Sequence, residues 1–362
     1  MKSIVFFLLV AALCASAGAA EIPTPFPGLT AVYLRPEILS EDAATSYMRD
    51  IKSWGASEVF LEAQFNDTLN LSKVFPPKDP ERDWFEVLVK AAQAEGLKVH
   101  AWVKVAYWAY GEENLEKFAI LKEHPEWIDV NSRGEKTTPS GPECQYIFVN
   151  LAIPEVVDSV LAFISELAAY DISGVSIDYI RCKTAEDDSS SWYGYNPYSV
   201  EQFMARTGID PRRVTKNLTP GSDFMKWVKW NEQIVEDCVR RIHEHLAGIN
   251  ARENRNIVLS ASPFTGYVSG MSPKFQDWKP WDEKHYIDLW LPMCMSLDMG
   301  ALAQEVAGVK ALGLKAPYYP IVYPGKHGMV HPPLKAHHDV LRQSGVQKYA
   351  AFSYKQVKEE MP

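Results

Sequence analysis

Four times along this chain a glycine ends a helical pattern and a short apolar run starts within a few residues. The four stretches are Trp54-Gly55-Ala-Ser-Glu-Val-Phe-Leu-Glu62, Glu95-Gly96-Leu-Lys-Val-His-Ala-Trp102, Leu312-Gly313-Leu-Lys-Ala-Pro-Tyr-Tyr319 and Ser344-Gly345-Val-Gln-Lys-Tyr-Ala-Ala351. Glycine readily takes the left-handed conformation that closes a helix, so each run reads as the strand after a helix. A chain that repeats this connection is built from βα units, and its ordinary globular composition rules out disorder, collagen and coiled coil.

On this basis eight strands are expected, at 31–35, 57–64, 98–107, 174–181, 257–264, 287–295, 316–323 and 348–354. Helical patterns lie between them. Their starts are marked by Ser40 before Glu41 and Asp42, Pro80 before Glu81, Pro154 before Glu155, Asp298 before 299–312, and Pro332 or Pro333 before 334–344. Eight such units predict an α/β fold, a single (β/α)8 TIM barrel over residues 21–362. A doubly wound sheet would need a glycine-rich phosphate turn after its first strand, where Pro36-Glu-Ile-Leu-Ser40 stands instead. Barrel sites form at the C-terminal strand ends, so the long connections 108–153 and 182–221 mark the working face. The rim expected there carries Arg35, Gln64, Lys104, Asp178, Ser262, Met295, Tyr323 and Ser353.

Residues 1–20 read as a secretory signal: Lys2, the apolar run Ile4–Leu13, then small residues ending at Ala20 before Glu21. Leu13 before Cys14 disfavours a lipid anchor. No later apolar run is long enough to span a bilayer, so a soluble secreted or periplasmic protein without a transmembrane segment is expected. The formal charge is −9, and loss of Lys2 makes it −10, which argues against nucleic acid as a partner. Cys144, Cys182, Cys238 and Cys294 contain no Cys-x-x-Cys pair; a bridge between Cys144 and Cys182 stays open. Asn66-Asp-Thr68, Asn70-Leu-Ser72 and Asn217-Leu-Thr219 are sequons that matter only in a eukaryotic host.

Alternation along 174–181 puts Val175, Ile177 and Tyr179 on one face and Ser176, Asp178 and Ile180 on the other. With the apolar face against helices, Asp178 enters the barrel near its upper rim. There it either performs catalysis or pairs structurally with Arg35, Lys104 or Arg181. In the same way Phe60, Glu62 and Gln64, and His100, Trp102 and Lys104, point inward. Glu62 is a second carboxylate, a ligand for a sugar hydroxyl, or a structural partner of Lys104. Asp298 is a third acid or a helix cap, and Asp288 falls at the opposite, stabilising end.

His243/His245 and His337/His338 are splayed on helices, Tyr33-Leu-Arg35 stands where a metallo-barrel would need His-x-His, and no Gly-x-Ser-x-Gly elbow exists. No metal or cofactor is expected. What remains is carboxylate chemistry in a chain with 11 Trp and 17 Tyr, whose flat rings suit sugars or simply fill a core. Glycoside hydrolysis needs one proton donor, one base or nucleophile, and such platforms. The expected platforms and contacts are Trp102, Tyr107, Trp108, Trp192 and Tyr323, with Arg35, Gln64, His100, Lys104, Arg181 and Ser262.

His100-Ala-Trp102, His124-Pro-Glu-Trp127, Phe148-Val-Asn-Leu-Ala-Ile-Pro154-Glu-Val156, Asp171-Ile-Ser-Gly-Val-Ser-Ile-Asp178-Tyr-Ile-Arg181 and Ser260-Ala-Ser-Pro-Phe264, in this order, resemble the glycosyl hydrolase-like 10 family of exported bacterial proteins. The resemblance spans about 28–355. It implies a (β/α)8 barrel and hydrolysis of a polysaccharide, with a divisome-localised hydrolase of peptidoglycan glycan strands among the relatives. It places the strand-four acid on Asp178 and the strand-three His and Trp on His100 and Trp102. The chain departs at Val149-Asn-Leu-Ala152, where relatives often have Asp-Pro-Gly, and at Glu62, where some have Gln. A secreted glycoside hydrolase is therefore the leading expectation, with a non-catalytic carbohydrate-binding barrel as the alternative and a structural envelope protein third.

Overall fold

The computed structural model describes residues 25–138, 143–183, 192–265, 274–325 and 331–361; the expected signal segment lies outside them. The described residues form ten strands: β1 (Leu29–Leu34), β2 (Glu58–Glu62), β3 (Lys98–Lys104), β4 (Tyr107–Tyr110), β5 (Tyr146–Phe148), β6 (Gly174–Asp178), β7 (Val258–Ala261), β8 (Leu289–Trp290), β9 (Ile321–Val322) and β10 (Tyr349–Phe352). Eight of them pair in the order β8-β7-β6-β3-β2-β1-β10-β9, every pair parallel. Bridges Trp290↔Tyr318 and Met293↔Ile321 link the two outer strands, which closes the sheet into the expected (β/α)8 barrel.

The helices that cover the sheet include α1 (Glu41–Ser53), α2 (Trp84–Ala94), α3 (Ala119–Glu123), α4 (Pro154–Ala168), α5 (Pro197–Thr207), α6 (Asp223–Glu253), α7 (Lys279–Glu283), α8 (Met299–Ala311), α9 (Leu334–Gln343) and α10 (Tyr354–Glu359). Ser40 caps α1 by accepting from Ala43 N at 3.1 Å, and Asp298 caps α8 from Ala301 N at 2.8 Å. The second helix starts later than expected from Pro80. Asp79 there accepts from Glu81 N and Trp84 Nε1, both at 2.9 Å, and holds a turn until Asp83 caps the helix. None of the described helices is long and apolar enough to cross a membrane.

Alternation sorts the barrel residues into two apolar layers. Ala31, Tyr33, Phe60, Trp102, Leu289, Leu291, Ile321 and Ala350 fill the interior, while Val32, Leu34, Val59, Leu61, Val175 and Ile177 meet the helices. The expected alternation in β6 stops at Asp178. Tyr179 has φ 51°, so the chain turns out of the strand, and Ile180 joins the outer layer instead of facing inward. At the start of the same strand a Cβ on Gly174 would collide with the His100 ring, which explains why the smallest residue stands there.

The pair β4 and β5 was not expected. These strands run antiparallel, 36 residues apart, inside the long connection after β3, and extend β3 above the barrel through Val149 N donating to Ala106 O at 2.9 Å. The four described cysteines are unbridged, including Cys144 and Cys182.

Asp282 of α7 reinforces the closure that backbone bonds between the β8 and β9 segments make. Its buried carboxylate accepts from Trp290 Nε1 at 2.9 Å, Lys315 N at 2.8 Å and Ala316 N at 3.1 Å, and so ties β8 to the segment leading into β9. Asp282→Ala leaves these donors unpaired and should cost about 3 kcal/mol in urea denaturation, whereas a surface change such as Glu113→Ala should stay within about 0.5 kcal/mol.

Candidate active site

The C-terminal strand ends bring four charged groups into the barrel mouth. Parallel register sets Glu62 beside Trp102 and Lys104 beside Asp178, so two acids and one base come from three adjacent strands. Glu62 is buried. It accepts from Arg35 Nε at 2.8 Å, and Lys104 Nζ binds its other oxygen. Lys104 also donates to Gln64 O at 2.7 Å, and Gln64 Nε2 returns a bond to Lys104 O at 2.8 Å. Burial pulls the Lys104 ammonium down to about 8, against the raising effect of Glu62.

Asp178 is 9% exposed and meets two neutral donors, Trp102 Nε1 at 3.0 Å and Tyr179 N at 2.7 Å. Burial raises its pKa from the ordinary aspartate value, partly opposed by those bonds and by the charges of Arg181 and Lys104. The Arg181 guanidinium is buried, bound to Glu143 at 2.6 Å and to Cys182 O at 2.9 Å, and packs on the rings of Phe148, Tyr179 and Phe264. Glu143 was missed in the sequence because it reaches the mouth from the long connection before β5 rather than from a strand end.

Below these groups, Tyr33 Oη and Ser262 Oγ share a hydrogen bond of 2.9 Å, and Tyr33 meets Trp102 edge-on at 5.2 Å. Tyr323 packs on Phe352, which in turn touches Trp102. Arg35, Glu62, Gln64, Trp102, Lys104, Tyr107, Asp178, Arg181, Ser262 and Tyr323 therefore belong to one mouth. A cavity of about 290 Å³ opens beside it, lined by Arg35, Glu62, Gln64, Phe65, Asp67 and Lys78 among others.

Five sequence-based assignments need correction. Asp298 is an exposed residue whose carboxylate caps α8, and among the described residues no hydrogen bond or ion pair ties it to the mouth. His100 sits low in the barrel, stacked on Phe60 at 4.6 Å and paired with Glu58 at 3.3 Å, because it stands four residues before the end of β3. It lines a cavity of about 560 Å³ with Asp288 at the N-terminal strand ends, the end that stabilises barrels rather than carries their chemistry. Trp108 is buried against Phe75 and Trp127, and Trp192 against Phe224 and Phe275, so both rings are core. Trp102, only 2% exposed, supports Asp178 from below and offers no open face. Among the described residues, no group of three or more His, Cys, Asp or Glu is placed to hold a metal ion.

The acids thus stand at the C-terminal rim of a parallel barrel, the face where such barrels carry their chemistry. The catalytic domain of a β-amylase from Paenibacillus polymyxa matches at TM-score 0.59 and 10% identity, over 92% of this chain and 94% of that one. An α-galactosidase from Thermus thermophilus matches at TM-score 0.52 and 9% identity, over 94% of this chain and 60% of that one. Identities this low show the fold alone. No curated protein matches in sequence. The family model described as glycosyl hydrolase-like 10 matches residues 47–310, and the chain belongs to that family.

The paired cations on Glu62 make Lys104 a stability element as well as a site residue. Lys104→Met leaves part of Glu62 and the Gln64 carbonyl unpaired and should cost about 3 kcal/mol, measured by thermal or urea unfolding at pH 7. Equal stability of this variant and the parent would show that the ammonium contributes no net stabilisation.

Proposed function

We propose that this protein is an exported glycoside hydrolase that cleaves O-glycosidic bonds of a polysaccharide, with Asp178 as its proton carrier. The observation that carries the proposal is the setting of Asp178. It is a buried carboxyl at the end of a central barrel strand, bonded by neutral donors and raised in pKa by desolvation. A carboxyl in that state holds a proton where an ordinary aspartate has lost it, and can pass it to a glycosidic oxygen as the bond to the anomeric carbon breaks. Water supplies the hydroxyl that completes hydrolysis, and the ionised Asp178 takes back a proton. Family membership and the glycosidase-like fold support the same reading.

Glu62 is the second carboxylate of this reading. Its negative charge, held between Arg35 and Lys104, faces the region where positive charge develops on the sugar ring. The same ion pairs favour one alternative, a barrel that binds carbohydrate without cleaving it, because both Glu62 oxygens are already engaged.

A reducing-end assay over plant, host-type and peptidoglycan polymers tests the choice. The parent protein should release ends from at least one polymer. Asp178→Asn should lower that rate about 10³-fold, a loss typical of general acid–base groups, while its melting temperature stays within a few degrees. Full activity of Asp178→Asn would remove the residue from the chemistry, and an inert parent on every polymer would favour the binding barrel. The pH profile carries a second sign. A group that must be protonated fails as pH rises through its pKa, so the limb owed to Asp178 should lie above the usual aspartate range and vanish in Asp178→Asn. Export is tested by the N-terminus of the mature chain, expected close to Glu21.

A further inference from the structure

The rings expected to stack on sugar are mostly buried, yet an aromatic surface does stand at the mouth, on the unexpected pair β4 and β5. Register sets Tyr110 opposite Tyr146. An irregularity between Tyr107 and Ala109 turns Trp108 into the core and leaves Tyr107 in contact with Tyr146. Tyr107 and Tyr146 are parallel, with centroids 4.4 Å apart and planes at 12°; Tyr110 meets Tyr146 at 5.9 Å and Tyr179 meets Tyr107 at 4.9 Å. Exposure rises outward along this row: Tyr107 is 3% exposed, Tyr146 is half-buried and Tyr110 is 42% exposed.

The row is fixed to the acid. Val105 N donates to Asp178 O at 2.9 Å and Ala106 N to Tyr179 O at 3.2 Å, while Tyr110 N is held by Asn66 Oδ1 at 2.6 Å. Asn66 and Tyr179 both take the left-handed conformation, with φ of 59° and 51°. For a ring as large as Tyr179 that conformation is costly, and it lies next to Asp178. The buried Tyr107 hydroxyl has no hydrogen-bond partner among the described residues. A monomer gains little from keeping a tyrosine ring in water, whereas a ligand with an apolar ring face covers it.

We infer that Tyr110 and Tyr146 form a sugar-stacking subsite that binds a pyranose unit of an oligosaccharide away from the bond beside Asp178. This rests on the glycan reading of the mouth but not on its catalysis. It follows that the site takes a chain of several sugars, since the row leads outward from the acid.

Binding rather than turnover provides the test. Calorimetry would use the full chain carrying Asp178→Asn, with cellohexaose, xylohexaose, chitohexaose and maltohexaose, and the matching disaccharides, as probes. At least one hexasaccharide should bind. Tyr110→Ala and Tyr146→Ala should each weaken it about tenfold or more, as for an interface anchor, while Tyr146→Phe stays within about threefold and disaccharide binding is unchanged. Unchanged hexasaccharide affinity in both alanine variants would overturn the subsite. Equal losses for disaccharide and hexasaccharide would overturn its remote placement, and a parent that binds none of the four hexasaccharides would overturn the inference itself. The exposed position of Tyr110 keeps the test valid if Tyr146→Ala fails to fold. An inert enzyme with intact stacking would refute the hydrolase reading alone.

Discussion

A positive charge buried at the end of β3 organises the mouth of this barrel. Lys104 is 1% exposed, and an ammonium in that position costs several kcal/mol unless it is met by opposite charge and hydrogen bonds. Glu62 and the Gln64 carbonyl meet it, and Arg35 shares the load on Glu62. Three strands are tied at one level by this group, and each contributes a residue to the site. The next strand over places Asp178 in the same apolar surroundings with neutral donors only, which is why two carboxylates on neighbouring strands have such different settings.

Barrel architecture was legible in the sequence because its signals are local. A glycine at a helix end, a cap such as Ser40 or Asp298, and period-two alternation in Phe60-Leu-Glu62 each depend on a few neighbouring residues. Inward placement of Glu62, Trp102, Lys104 and Asp178 followed from that alternation. Three things did not follow. Alternation says which face a residue occupies but not its height, so His100 was placed at the mouth although it lies low on β3. Proximity to a strand end says nothing of what packs above, so Trp108 and Trp192 looked available but are covered by Phe75, Trp127, Phe224 and Phe275. The pairing of β4 with β5 joins residues far apart in sequence without a tight turn between them, so no short motif announces it.

That missed pair changes how the aromatic content is understood. Most of the large rings form the core, as in any domain of this size, and Trp54, Trp108, Trp278, Trp281 and Trp290 are fully buried. The tyrosines at the mouth are different, since their polar tips allow them to stand partly in water. They continue from β3 by backbone bonds to Asp178 and Tyr179, so the ring surface and the acid are held by one piece of rigid scaffold. A chain laid on this surface would present its linkages to a carboxyl whose distance from the rings is set by the fold.

The protonation of Asp178 is the physical claim on which the functional reading depends. It is accessible by carboxyl-carbon NMR of protein labelled at aspartate, titrated from pH 3 upward, with the Asp178 signal identified by its loss in Asp178→Asn. A signal that titrates above ordinary aspartates, whose pKa is about 3.9, is the result expected from burial among neutral donors. A signal that titrates at or below that range would mean that Arg181 and Lys104 outweigh desolvation, and would contradict the assignment of Asp178 as the proton donor.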